Sequence, residues 1–113
     1  QIIVLEGSRN AAFRRSEIIT SRLMRMVRDK CRNIKILAFS SDSASPYYET
    51  FKHISQLNNI ELIDGIPQAL DRFEQCGIVT KVADKCHWSE SGHKIVAEEL
   101  VKYMKKSNIL SRD

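Results

Sequence analysis

Asn33-Ile34-Lys35-Ile36-Leu37-Ala38-Phe39-Ser40 carries the decision about fold. A run this apolar, interrupted by one lysine and closed by serines, reads as a strand over Ile34 to Phe39 covered on both faces. That is the mark of a parallel sheet packed between helices. The flanking sequence repeats the pattern. Ile2-Ile3-Val4-Leu5 reads as a strand ending at Gly7, and Ile60 to Ile63 as another stopping at Asp64-Gly65.

Between these runs the period changes from strand to helix. Ser16 to Lys30 places Ile19, Leu23, Met26 and Val27 at spacings of four, three and one, so they share a face, and the arginines point away from it. Ser45-Pro46 suits a helix start because proline tolerates the first turn, and Tyr48, Phe51, Ile54 and Leu57 form the inner stripe of that helix. Pro67 to Cys76 predicts a short helix using Ala69, Leu70 and Phe73. Gly77 to Ala83 is a connector in which Ile78-Val79 offers a short edge strand. The last helix, Lys94 to Lys106, sets Ile95, Val96, Leu100, Val101 and Met104 on one side, with Glu98 and Lys102 spaced to pair on the other. Strands alternating with helices predict one layered α/β unit over residues 1–113, without repeat or linker.

The chain has 113 residues, 42% of them hydrophobic, enough for one small domain with a core. It begins at Gln1 on a buried-type strand, which suggests a piece of a longer protein. No apolar run approaches the roughly 18 residues of a membrane span, so none is expected. The formal charge is +4. The densest positive group is Arg14, Arg15, Arg22, Arg25 and Arg28, read as a solvated helical face. Aromatic interleaving and nucleic-acid motifs are missing, so no nucleic-acid partner is expected. Cys31, Cys76 and Cys86 lack metal-ligand spacing, and no metal or other cofactor is expected. Cys76 and Cys86 flank a loop that a disulfide would stiffen, though free buried thiols are the favoured reading.

That loop holds the chemistry. In Ala83-Asp84-Lys85-Cys86-His87-Trp88-Ser89-Glu90-Ser91-Gly92-His93, a carboxylate stands three residues before an imidazole, just ahead of a helix. A carboxylate so placed fixes one imidazole nitrogen and leaves the other to take a proton from a hydroxyl. The same spacing also suits an ordinary loop pair, with Ser89 or Ser91 capping the helix. Trp88 would wall a pocket or simply pack.

Asp84 and His87, followed by Ser89, Gly92, His93 and then Ala97 and Leu100 on the helix, resemble the C-terminal block of the SGNH/GDSL hydrolases. These are esterases, lipases and acyl-transferring enzymes. The resemblance implies a flavodoxin-like three-layer α/β/α domain with a parallel sheet, of which this chain covers the C-terminal half to two-thirds. It implies His87 as general base and Asp84 as its orienter. The family's Gly/Asn oxyanion block is matched imperfectly by Gly7-Ser8-Arg9-Asn10, with one extra residue and Ala11 where an Asp is expected, which makes Asn10 and Gly7 the oxyanion candidates. No Gly-Asp-Ser occurs, and Ser8 is a poor substitute, so the nucleophilic serine is expected upstream, in an N-terminal remainder of the same domain. The implied substrate is an acyl or acetyl ester of a carbohydrate or lipid. The alternative is a non-catalytic SGNH-like binding or interaction module. A nucleotide-binding flavodoxin-like domain is disfavoured by the lack of a Gly-rich phosphate loop.

Overall fold

A computed structural model describes residues 6–110, excepting the Ser8 side chain; the strand read at Ile2 to Leu5 lies outside them. The chain is mixed α/β and mostly helical. Among the described residues it forms four helices and a two-stranded parallel sheet: α1 (Ala11–Lys30), β1 (Leu37–Ala38), α2 (Tyr47–Leu57), β2 (Glu61–Leu62), α3 (Ile66–Gln75) and α4 (Glu90–Lys106). Residues 6–62 make one compact unit and residues 63–110 a second.

In the first unit, α1 begins five residues earlier than its apolar period predicts, because Asn10 is its N-cap. Asn10 has extended backbone, and its side-chain oxygen accepts from the Phe13 amide at 3.0 Å. That satisfies one of the unpaired donors of the first turn. The helix packs against α2 through its Phe13 side: Phe13 is buried and meets Tyr47 edge to face, ring centroids 5.6 Å apart. Asn58 donates to the Ser21 hydroxyl at 3.1 Å, and Arg28 donates to the Asn59 carbonyl. These contacts set the roll of α1. They turn Ile19, Leu23, Met26 and Val27 outward, each at least 50% exposed.

The second helix matches its expected span closely, and Ser45–Pro46 just ahead of it is cis. Its stripe is narrower than predicted, for Ile54 is buried and Leu57 is 61% exposed. β1 pairs in parallel with β2, Leu37 beside Glu61 and Ala38 beside Leu62. Both strands are shorter than their apolar runs, since Ile34 and Lys35 precede the ladder and Lys35 instead reaches Glu61 as an exposed ion pair at 2.8 Å.

In the second unit, Gly65 turns the chain at φ +93° and α3 follows, with Pro67 in its first turn where no amide hydrogen is needed. Ile63, Ile66, Ala69 and Leu70 are buried, as are Ile95 and Val96 of α4, which packs on α3. The edge strand read at Ile78-Val79 does not form. Pairing falls instead at Lys81 and Trp88, joined by an isolated antiparallel bridge. On α4, Lys102 pairs with Glu99 at 2.8 Å, not with Glu98 as the four-residue spacing suggested. That hydrogen bond and charge hold the lysine above its ordinary range. Among the described residues, no helix is long and apolar enough to cross a membrane.

Candidate functional site

The loop between α3 and α4 is a short hairpin. Lys81 and Trp88 face each other across it, the Val82 amide donates to the His87 carbonyl at 2.9 Å, and the Lys85 amide turns back to the Val82 carbonyl at 2.9 Å. Lys85 takes left-handed backbone at the tip, φ +58°. Asp84 organises this turn. Its Oδ1 accepts from the amides of Cys86, at 2.8 Å, and His87, at 3.0 Å, a local geometry that aspartate favours because its short side chain reaches the backbone ahead.

The other carboxylate oxygen is thereby aimed at the imidazole: Asp84 Oδ2 and His87 Nδ1 lie 2.5 Å apart. The His87 amide, then its side chain, then the Cys86 amide all favour the charged carboxylate, and they hold Asp84 below its ordinary value of 3.8. An ionised carboxylate only accepts hydrogen bonds, so Nδ1 is the donor. In the neutral imidazole the lone pair is then left on Nε2, which has no partner among the described residues. The imidazole is 82% exposed and the carboxylate 47%, so the pair stands open to an incoming hydroxyl.

The helix that follows is clamped to this hairpin. The Ser89 amide donates to the Thr80 carbonyl at 2.8 Å, and the Ser89 hydroxyl donates to the Val79 carbonyl at 2.6 Å while accepting from the Gly92 amide at 3.1 Å. Ser89 rather than Ser91 is therefore the N-cap. Gly92 is needed for close approach: a Cβ there would lie 2.2 Å from the Thr80 oxygen. Behind the hairpin, buried Thr80 donates to the Glu74 carboxylate, a pairing for which the sequence gives no signal. Trp88 meets His93 edge to face, centroids 5.4 Å apart. A cleft of about 670 Å³ adjoins the hairpin, lined by Ile78, Val79, Val82 and Ala83 with Lys81 and Lys85.

Of the residues singled out in the sequence, Asp84 and His87 are thus brought together. Gly7 and Asn10 belong to the first unit and touch each other: the Asn10 amide donates to the Gly7 carbonyl at 3.1 Å, and Gly7 has φ +57°. Both ends of the Asn10 side chain are engaged, Oδ1 by Phe13 and Nδ2 by a 2.8 Å bond to Glu6 Oε2. Service in an oxyanion hole would require Nδ2 to leave Glu6. Cys31, Cys76 and Cys86 are free thiols, the latter two exposed. Among the described residues, no three His, Cys, Asp or Glu side chains gather as metal ligands do. The sequence matches no family model, no curated protein and no solved structure.

Proposed function

We propose that this chain is the distal part of a serine-dependent ester hydrolase of the SGNH/GDSL type, within a flavodoxin-like three-layer domain. One observation carries the reading: an ionised Asp84 holds His87 by Nδ1 and leaves Nε2 open. In the proposed cycle a serine upstream of this chain loses its proton to Nε2 as it attacks the ester carbonyl. His87 then returns that proton to the leaving alkoxide, and Asp84 steadies the imidazolium between the two steps. Water, deprotonated by the same nitrogen, then attacks the acyl-serine carbonyl; the acyl–serine bond breaks, the acid departs, and His87 returns the proton to the serine oxygen. The apolar wall of Ile78, Val79 and Val82 suits the acyl part of an ester.

The test is turnover of short-chain p-nitrophenyl esters by the protein in its natural polypeptide, with His87→Gln as the variant. Because His87 is exposed, the replacement leaves the fold intact. Turnover should fall about 100- to 10,000-fold, the usual contribution of a positioned general base. Equal turnover in the two proteins refutes the assignment.

A second reading is favoured by one specific feature. Asp84 Oδ1 and both ends of Asn10 are spent on local backbone and side-chain bonds, as in residues that only shape loops. On that reading the domain is a non-catalytic binding module, and no ester is turned over.

A further inference from the structure

The outward side of α1 combines two features that water alone does not explain. Ile19, Leu23, Met26 and Val27 are 57%, 56%, 62% and 50% exposed, and their spacing lays them side by side along the helix. Beside them runs a ridge of exposed arginines, Arg15 and Arg22 nearest, Arg14 and Arg25 beyond, with no ion-pair partner among the described residues. Contiguous aliphatic surface held in water marks a place of association.

Charge and apolarity together narrow the partner. A nucleic acid would satisfy the arginines and leave the aliphatic stripe in water. A second copy would bring cation to cation, because Asp29 is the single acid among the exposed residues of α1. An anionic bilayer surface meets both halves at once. Aliphatic side chains enter the boundary below the headgroups, and long arginine stems lay their guanidinium groups among the phosphates. We infer that α1 is a lipid-facing helix, lying in the plane of an anionic membrane surface through Ile19, Leu23, Met26 and Val27 with Arg15 and Arg22 at the headgroups. This inference needs no turnover to be tested, and it requires that the upstream remainder invoked above leave this stripe uncovered.

The experiment is co-sedimentation of the protein in its natural polypeptide with vesicles of pure phosphatidylcholine and of phosphatidylcholine mixed equally with phosphatidylserine. The wild type should pellet with the mixed vesicles and remain largely in solution with the neutral ones. Arg15→Gln/Arg22→Gln should lower the partition coefficient about thirtyfold, since each basic residue near such a surface contributes about a factor of five. Leu23→Ser/Met26→Ser, which adds no charge, should lower it at least about tenfold through loss of apolar contact. All four positions are exposed, and circular dichroism of the variants checks that the helices persist. Failure to bind mixed vesicles overturns the inference. So does binding untouched by Leu23→Ser/Met26→Ser, which would mean simple polyanion attraction, or a stripe that proves to be covered by the N-terminal remainder of the domain or by an acidic protein in a stoichiometric complex.

Discussion

Replacing Gly92 by alanine probes the clamp that fixes the histidine loop to α4. The new methyl carbon would meet the Thr80 carbonyl oxygen at 2.2 Å, its carbon at 3.1 Å and the Trp88 Cβ at 3.1 Å. The first of these is backbone and cannot swing aside, so α4 must retreat by about 1.5 Å to reach ordinary contact. That retreat stretches the Ser89 amide bond to Thr80, now 2.8 Å, and the Ser89 hydroxyl bond to Val79, now 2.6 Å. Overpacking of this kind costs about 1–3 kcal/mol, and a weakened hydrogen bond costs about 1 more. Against them stands the gain of about 1 kcal/mol when alanine replaces glycine inside a helix. The net expectation is a loss of about 1–3 kcal/mol. Urea denaturation followed by circular dichroism measures it, and the amide shifts of Thr80, Trp88 and Ser89 should move together. A Gly92→Ala protein as stable as the wild type, or stabilised by the helix-propensity gain alone, would refute the close-approach argument.

Three further outcomes follow from the same geometry. Asp84→Asn keeps an oxygen for the Cys86 and His87 amides but removes the anion facing Nδ1, so ester turnover should fall about 100-fold or more while the amide shifts of the loop stay in place. The acid limb of stability should carry an Asp84 contribution. Its carboxyl titrates below 3.8 in the folded chain, so the contribution is complete above the unfolded range and is lost as pH falls through the folded value; Asp84→Ala should flatten that limb in a pH series of urea melts. Asn10→Ala removes the N-cap of α1 and should destabilise the protein by about 1 kcal/mol in the same assay.

Helical period made the four helices legible, because stripes such as Ala69–Leu70 and Ile95–Val96 do enter the core. Where each helix starts was less so: a single cap, Asn10, extends α1 backward through a stretch with no apolar rhythm. Period also says which residues share a face without saying where the neighbour lies. For α1 the neighbour lies on the side of Phe13, Ser21 and Arg28, and the most regular apolar stripe in the chain points to water. The strands were overread because an apolar run shows burial, whereas a ladder also needs a partner in register, and Glu61–Leu62 supplies one for two residues. The Asp84–His87 pair was legible because a three-residue spacing is local and the turn closes it. The Thr80–Glu74 bond was not, since neither residue stands in a pattern.

The most direct measurement is peptide mapping of a fluorophosphonate probe on the protein in its natural polypeptide, beside the His87→Gln variant. The SGNH reading requires an adduct on one serine upstream of this chain, with labelling much slower in the variant because Nε2 no longer removes the serine proton. Absence of any adduct, or labelling at equal rates with and without His87, would contradict the assignment of His87 as the catalytic base.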